Sequence, residues 1–282
     1  STQGYSSAAS DVYKRQLWNV YKDSDIRPGT NYYWDMYSTS KFREGQQKCG
    51  NYSHVGDCVN REHSFPKSWF KEGQPMVSDA FHIYPTDGKV NGQRSNFPYG
   101  ECANGTTLPS CNGVDALGKL GKSTFPGYSG TVFEPVDEYK GDFARSYFYM
   151  AACYNDKIAS WSSHMLAGNS YPCYTTWAVN LLLKWNEQDP VSQKEIDRNN
   201  AVYKHQNNRN PFIDHPELAE YIWGDKQNIG WTPGGVVDPK ITSPYNGSTV
   251  DFGVTAVNTT LTYTVNVKAE GLTQNVAVSV AG

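Results

Sequence analysis

Hydrophobic residues recur at helical spacing between residues 137 and 223, where the chain has its clearest periodicity. Residues three or four apart lie on one face of an α-helix, so such a stripe indicates a helix with one buried side. Two stripes are present: Phe143, Tyr147, Met150 and Tyr154, then Trp177, Leu181 and Trp185. The pattern predicts two helices whose aromatic faces belong to the core and not to a cofactor site.

Two aspartate–proline patterns predict the starts of further helices. Asp189 is followed by Pro190, and Asp214 by Pro216, with Gly224 at the end of the second segment. An aspartate can cap the free N–H groups of a first turn, and proline is tolerated there because it has no N–H. We therefore expect Asp189 and Asp214 to be N-caps.

The remaining segments have the pattern of strands and loops. Residues 17–135 are rich in Gly, Pro, Asn and Tyr, which favours short strands and long connections. Residues 232–247 are a Gly- and Pro-rich linker, and residues 248–282 alternate apolar and polar positions. A β-sandwich needs about 100 residues, so the last segment is expected to be a truncated Ig-like module. The sequence predicts an α+β domain over residues 17–231, followed by this partial β-sandwich.

Residues 1–16 are expected to carry no function. They contain "SSAASDVYKRQ", and "DVYKRQ" is what one reading frame of a common sequencing adapter encodes. The segment is interpreted as an assembly artefact that replaced the true start, or as a disordered terminus. No signal peptide is visible in it.

Composition restricts the class of protein. The 282 residues are 38% hydrophobic and 19% charged, which suits a globular fold with an ample core. No run approaches the roughly 18 apolar residues that a membrane span needs. Because the formal net charge is −3, a polyanionic partner would have to bind a local basic patch.

The six cysteines indicate an oxidising compartment. Cys49 and Cys58 enclose a short polar loop, as do Cys102 and Cys111, and both pairs are expected to be disulfides. Cys153 and Cys173 could form a third bridge. No CxxC spacing of a zinc site occurs. We expect a secreted, periplasmic or cell-surface protein.

The stretch "CVNREHSFPKSWF" places Arg61, Glu62 and His63 together before a proline. Successive strand residues point to opposite faces, so Glu62 and His63 cannot both face one core. A solvated strand end is the simplest interpretation. The later stretch "DAFHIYPTDGKVNGQRSNFPYGE" predicts a strand over Phe81–Tyr84, a turn at "PTDG" and a short helix that begins near Val90–Asn91. This order of elements allows His63 and Asn91 to face each other.

The same motifs carry a family resemblance. "NREHSFPKSW" and "HIYPTDGKVNGQRSN", followed by "YKGDFARSYFYMA", "QDPVSQKEIDRNNAVY" and "NRNPFIDHPELAEYIWG", resemble bacterial endonuclease I over about residues 17–223. These are periplasmic and secreted non-specific nucleases with a ββα-metal core, also called the His-Me finger. The resemblance implies a monomeric endonuclease that cuts DNA, and possibly RNA, without sequence preference.

The resemblance also implies roles for site residues. His63 would be the general base that takes a proton from water, as a histidine can near pH 7. Glu62 and Asn91 would hold one Mg²⁺, or another hard divalent cation such as Ca²⁺ or Mn²⁺, because such ions prefer oxygen ligands.

Other polar residues have weaker signals. Four arginines could contact phosphate through a planar fork, although ion pairs or helix caps explain them as well: Arg61, Arg94, Arg145 and Arg209. A basic patch near the finger would consist of Lys67, Lys71, Lys89 and Arg94. His82 is expected in the core and His215 at a helix start, and Glu101 could approach a metal through water or be solvated.

Two alternatives belong to other functional classes. The chain could be a secreted binding or adhesion module with an inactive finger, which predicts no metal-dependent turnover. It could also be a zinc-dependent hydrolase that uses His63 and His82, although it lacks an HExxH motif and a third ligand.

Overall fold

The computed structural model describes residues 16–232, 240–243, 262 and 264–270. Contacts between residues divide the chain into two units, residues 1–228 and 229–282. The predicted artefact over residues 1–16 falls almost wholly outside the described residues, as do most of the predicted linker and β-sandwich. These predictions therefore stay predictions.

The first unit combines seven helices with two small antiparallel sheets among its described residues. The helices are α1 (16–24), α2 (Gly88–Arg94), α3 (Lys140–Cys153), α4 (Thr176–Gln188), α5 (Gln193–Gln206), α6 (Pro211–Asp214) and α7 (Leu218–Ile222). The strands are β1 (Val59–His63), β2 (Ile83–Asp87), β3 (Lys119–Lys122) and β4 (Thr131–Glu134). This mixture of small sheets and helices agrees with the predicted α+β class.

Strands β1 and β2 pair antiparallel, and α2 follows β2 without a loop and packs against both strands. The strand predicted over Phe81–Tyr84 is present but begins two residues later, at Ile83, and the predicted turn at "PTDG" is wrong. A 3-10 turn occupies Ala80–His82, and the chain then stays extended to Asp87. The helix begins at Gly88 because the Asp87 carboxylate accepts hydrogen bonds from two N–H groups of the first turn.

Helices α3 and α4 form the centre of the helical half and pack against each other. Every residue of the two predicted stripes is buried, so these predictions are confirmed. The ring of Tyr99 stacks on Phe143 at 4.7 Å and also approaches Trp185. Aromatic side chains thus fill the space between the helices and the β1–β2 pair, and the pair rests on a closely packed base.

The predicted helix caps are wrong. α5 is capped by Ser192, whose hydroxyl bonds the N–H of Glu195 while the Glu195 carboxylate bonds back to the Ser192 N–H. This capping box satisfies two free N–H groups, which a lone aspartate further upstream does not. Asp189 instead ends α4 and accepts a hydrogen bond from the N–H of Gly141. Asp214 is the last residue of α6.

One of the three expected disulfides is present. Cys49 and Cys58 are bonded with their Cα atoms 5.0 Å apart. The other two expected bridges are wrong, since the remaining four cysteines are free thiols. In each expected pair one sulfur is buried, that of Cys102 or Cys173, while its partner lies at or near the surface. The sulfur of Cys102 is directed to the carbonyl of Lys119.

The second unit contains strands β5 (Lys240–Ser243) and β6 (Lys268–Glu270), which pair antiparallel with an irregular register. β6 lies in residues 248–282, whose alternating pattern predicted strands, and agrees with that prediction, whereas β5 lies in residues 232–247, which were predicted as a linker. Within the part of the chain that the structure describes, no helix has the length and apolar character that crossing a membrane requires.

Candidate active site

Strand β1 places Glu62 and His63 on opposite faces, as strand geometry requires. Opposite them on β2 lie Tyr84 and Ile83, respectively. The Glu62 side chain is buried in the direction of α2, whereas His63, the last residue of the strand, is half-buried. The two candidate residues therefore meet different environments, although they are adjacent in the chain.

The Glu62 carboxylate is held through one oxygen only. Its Oε1 accepts hydrogen bonds from the Tyr37 hydroxyl at 2.9 Å and from Nη1 of Arg94 at 2.8 Å. No residue in the described part of the chain forms a hydrogen bond to Oε2. Burial raises the pKa of Glu62 to about 7, an effect that Arg94 and Tyr37 oppose. One oxygen is fixed in place, and the other is left for a further partner.

Arg94 reaches this carboxylate from the last turn of α2. It is almost fully buried and also donates hydrogen bonds to the carbonyls of His63 at 2.9 Å and Ser64 at 2.6 Å. Its guanidinium lies 4.5 Å from the ring centroid of Tyr99. Arg94 thus fastens α2 to the end of β1, and the ion pair with Glu62 is buried instead of lying on the surface.

Asn91 lies one turn before Arg94 on α2. Residues three apart on a helix are neighbours on its surface, so Asn91 lies on the same side of α2 as Arg94. Asn91 is half-buried, and its side chain forms no hydrogen bond within the described ranges. The amide oxygen is therefore available.

The disulfide loop packs directly on the start of α2. A Cβ atom at Gly88 would lie 2.3 Å from Sγ of Cys49, and one at Gly92 would lie 2.4 Å from the hydroxyl of Tyr52. The Asp87 carboxylate that caps α2 also accepts a hydrogen bond from the N–H of Gly56 in this loop. The helix that carries Asn91 is thus positioned from one side by the Cys49–Cys58 loop.

The His63 ring is oriented by a backbone carbonyl. Its Nε2 lies 3.1 Å from the carbonyl oxygen of Val77. A carbonyl oxygen can only accept a hydrogen bond, so Nε2 carries the proton and Nδ1 carries the lone pair. Burial, followed by the neighbouring His82, lowers the pKa of His63 to about 3. At neutral pH the ring is therefore uncharged and can accept a proton at Nδ1.

His82 is fully buried, as the sequence pattern suggested. Its Nε2 donates to the carbonyl of Met76 at 2.7 Å, and its ring centroid lies 5.6 Å from that of His63. Both imidazoles thus use Nε2 for a backbone carbonyl. In the described part of the chain, no group of three or more His, Cys, Asp or Glu side chains could hold a metal ion. These contacts favour a core role for His82 over the zinc alternative.

The remaining arginines lie in different parts of the first unit. Arg61 is half-buried, and its guanidinium lies 5.9 Å from the ring centroid of Trp18. Arg145 is fully buried and forms a two-pronged pair with Glu195. Arg209 pairs with an aspartate in the helical half in the same way. These placements favour the pairing alternative for Arg145 and Arg209, and phosphate contact stays a prediction.

The expected basic patch loses one member because Arg94 is buried under β1. Lys67 and Lys71 are exposed, Lys89 is half-buried, and Lys67 pairs with Glu72 at 2.8 Å.

The other weak candidates have structural partners. Glu101 accepts hydrogen bonds from Lys184 at 2.8 Å and Trp185 at 3.1 Å. His215 ends α6 and pairs with Glu217 at 3.4 Å, at the entry to α7.

Sequence reasoning missed two residues that shape the site. The Val77 carbonyl orients His63, and the Tyr37 hydroxyl fixes Glu62. A backbone carbonyl gives no residue-type signal, and a tyrosine distant in sequence belongs to no motif. Only the fold could reveal these two contacts.

The donor set at this site fits a hard divalent cation. Glu62 has one carboxylate oxygen and Asn91 one amide oxygen that form no hydrogen bond with any described residue. Oxygen ligands in small number, completed by water, suit Mg²⁺ better than zinc. The positive charge of Arg94 offsets the negative charge of Glu62. The net charge of the side chains that would surround a cation is therefore close to zero.

Comparison with known proteins finds nucleases. A family model described as Endonuclease I matches residues 3–217. The extracellular ribonuclease of Bacillus amyloliquefaciens is 37% identical over 214 residues, which are 74% of this chain and 67% of that protein. Endonuclease-1 of Buchnera aphidicola subsp. Baizongia pistaciae (strain Bp) is 28% identical over 141 residues, 50% of this chain and 47% of that protein. The extracellular deoxyribonuclease of Aeromonas hydrophila is 27% identical over 139 residues, 49% of this chain and 50% of that protein.

Proposed function

Because the chain belongs to the endonuclease I family, we propose that it is a metal-dependent endonuclease that hydrolyses phosphodiester bonds of nucleic acid, DNA or RNA, without sequence preference. Its relatives are named for action on one or the other polymer, as ribonucleases and deoxyribonucleases. Those names also describe extracellular and periplasmic proteins, so we propose the same location for this protein, and we propose that it acts as a monomer. The ββα arrangement of β1, β2 and α2 would be a His-Me finger.

The observation that carries this proposal is the hydrogen bond between Nε2 of His63 and the Val77 carbonyl. It leaves Nδ1 as the basic atom of a neutral ring. A water molecule next to Nδ1 would lose its proton to His63 as its oxygen attacks the phosphorus. The bond between phosphorus and the 3′ oxygen would break, and the leaving 3′ oxygen would take a proton from solvent. The Nε2–H group remains hydrogen-bonded to the Val77 carbonyl throughout. This hydrogen bond stabilises the imidazolium that forms.

A divalent cation would be held by Oε2 of Glu62 and the amide oxygen of Asn91. When bound, it supplies charge relief on the phosphate and on the leaving 3′ oxygen. Arg94 would not bind the cation itself. It fixes the orientation of the Glu62 carboxylate by donating a hydrogen bond to Oε1. Since the net charge that the protein offers is near zero, the phosphate of the substrate would provide much of the attraction for the cation.

Cleavage assays with EDTA, and with EDTA followed by excess Mg²⁺, test the activity. The substrates are supercoiled plasmid and a labelled RNA, under oxidising conditions. His63→Ala should lower the cleavage rate by about a hundredfold or more, the scale of a lost general base, while nucleic-acid binding persists. His205→Ala is the matched control, since that histidine is exposed and pairs with Asp23. Wild-type protein that cuts neither polymer would exclude the proposed function, and an unchanged His63→Ala rate would exclude the proposed base.

A Mg²⁺ titration tests the ligands separately from the base. Glu62→Gln and Asn91→Ala should raise the Mg²⁺ concentration for half-maximal activity as well as lower the rate. Gln93→Ala is the control on the same helix, where the side chain bonds the Thr106 carbonyl. If both ligand variants kept the wild-type half-maximal concentration, the metal would be bound elsewhere.

A further inference from the structure

His82 lies beside the candidate site without belonging to it. It is fully buried, and its ring lies 5.6 Å from the His63 ring between centroids. Its only ring hydrogen bond within the described residues is to the Met76 carbonyl, at 2.7 Å. A phenylalanine would fill a similar space but could not donate a hydrogen bond. The hydrogen bond of the His82 ring is therefore the property to explain.

The carbonyls of Met76 and Val77 are consecutive in one 3-10 turn, Met76–Ser78. The first accepts from the His82 ring and also from the Asp79 N–H at 3.2 Å, and the second accepts from His63. The orientation of the Val77 carbonyl therefore depends on a peptide that His82 holds in place. His63 is the only described partner of the Val77 oxygen.

The backbone of His82 holds the other side of the same contact. Its carbonyl accepts hydrogen bonds from the N–H and the hydroxyl of Ser64, both at 2.9 Å. Ser64 directly follows His63, as Val77 directly follows Met76. Peptide bonds and hydrogen bonds thus form a closed ring, which links His63, Ser64, His82, Met76 and Val77 and returns to the His63 ring.

We propose that His82 is a positioning residue for His63: by holding Met76 through its ring and Ser64 through its backbone, it fixes the Val77 carbonyl that places the proton on Nε2 of His63. This inference depends on the proposed function for its catalytic consequence, since it assigns how the base is oriented. His82 itself contacts neither water nor substrate in this role. It acts on the direction and the tautomer of the His63 ring.

The turn is also held by hydrogen bonds that do not involve the His82 ring. The contribution of that ring can therefore be tested separately. Asp79 accepts a hydrogen bond from the Phe81 N–H at 3.0 Å and others from the hydroxyls of Tyr149 at 2.7 Å and Tyr154 at 2.6 Å. The Val77 N–H is bonded to the Gly73 carbonyl at 3.1 Å. These contacts, together with the bond from the Asp79 N–H to the Met76 carbonyl, should keep the turn in place when the His82 ring is lost. The Met76 and Val77 carbonyls would then lose only the side-chain donor that fixes their direction.

Two substitutions separate the hydrogen bond from the packing. His82→Leu keeps the backbone contacts and an apolar side chain but removes the ring donor. His82→Gln returns an N–H at nearly the position of Nε2. We expect His82→Leu to lower kcat by about tenfold or more with KM within about twofold, because a displacement near 1 Å can cost about a hundredfold. His82→Gln should return kcat to within about threefold of wild type.

A direct measurement of the His63 ring tests the inference without activity. In ¹⁵N-labelled protein, the imidazole nitrogen shifts of His63 should show a proton on Nε2 in the wild type and in His82→Gln. In His82→Leu, a fraction with the proton on Nδ1 should appear. Phe81→Leu is the control for lost packing, because Phe81 is a buried neighbour whose side chain forms no hydrogen bond with either carbonyl.

The possible outcomes distinguish this inference from the proposed function. Retention of both kcat and the Nε2 tautomer in His82→Leu would overturn it. So would an equal loss of kcat in Phe81→Leu at a matched melting temperature, or a failure of His82→Gln to restore the Nε2 tautomer. If His63→Ala left cleavage unchanged, the proposed base would be wrong, yet the tautomer measurement would still decide whether His82 orients the His63 ring.

Discussion

The buried pair of Glu62 and Arg94 makes the strongest stability prediction. Arg94 is 1% exposed and donates to the Glu62 carboxylate and to the carbonyls of His63 and Ser64. Arg94→Met retains the aliphatic length of the side chain but removes the charge and every donor. The variant would leave a carboxylate buried without its cation.

The cost follows from what each lost contact leaves behind. Removal of one partner from a buried ion pair costs about 3–5 kcal/mol, because the remaining charge is uncompensated. The Ser64 carbonyl keeps the Tyr147 hydroxyl at 2.9 Å, so it adds little. We expect Arg94→Met to lower the free energy of unfolding by about 3–5 kcal/mol, a large share of the roughly 5–15 kcal/mol of a typical domain. The double variant Glu62→Gln/Arg94→Met should lose less, because it leaves no buried charge.

Urea unfolding at pH 7 of the wild type, both single variants and the double variant gives the coupling energy. Arg209→Met is the matched control. Its two-pronged pair with Asp214 is 35% and 30% exposed, respectively, and exposed pairs contribute about 0–1 kcal/mol. A loss below about 1 kcal/mol in Arg94→Met, or losses in the single variants that simply add in the double, would refute the reasoning.

The pH dependence provides a second check. Burial raises the pKa of Glu62 from 4.5 to about 7, and without Arg94 the carboxyl should hold its proton more strongly. A carboxyl group whose pKa is raised by folding binds more protons in the folded state than in the unfolded state above pH 4.5. Its contribution to stability is therefore lost as pH rises through the folded pKa. The deficit of Arg94→Met should be smaller at pH 5 than at pH 8, and equal deficits would contradict the assignment.

Four further predictions concern the surroundings of the site. Gly88→Ala would place a Cβ 2.3 Å from Sγ of Cys49 and should cost about 1–3 kcal/mol in urea unfolding, with reduced cleavage. Replacement of Cys49 and Cys58 by serine should cost roughly 2.5–3 kcal/mol by the chain-entropy estimate, measured in the same way. Burial lowers the pKa of His82 from 6.5, so stability should fall as pH drops below 6.5, and His82→Gln should flatten this decline in a melting series. Deletion of the residues after Trp231 should leave cleavage intact, and an inactive or unfolded product would show that the tail belongs to the nuclease.

Local patterns in the sequence determined much of the helical half and supplied the candidate site residues. Periodic aromatic residues predicted α3 and α4, because a helix repeats its buried face every three to four residues whatever surrounds it. Strand alternation at Glu62 and His63 predicted their opposite orientations for the same reason. Motif resemblance then gave the family and the candidate base and ligands. Each of these depends on residues that are close together in the chain.

Only the tertiary structure decided what depends on distant residues. Arg94 was predicted at the substrate, and the fold buries it against Glu62 because α2 follows β2 without a turn. Cys102 and Cys111 enclose a loop of ordinary length, yet one sulfur is buried and the other is not. The proton position on His63 depends on the Val77 carbonyl, which any residue type could supply. Sequence spacing specifies local geometry, but a buried hydrogen bond is set by which backbone and side-chain groups the packed core brings together.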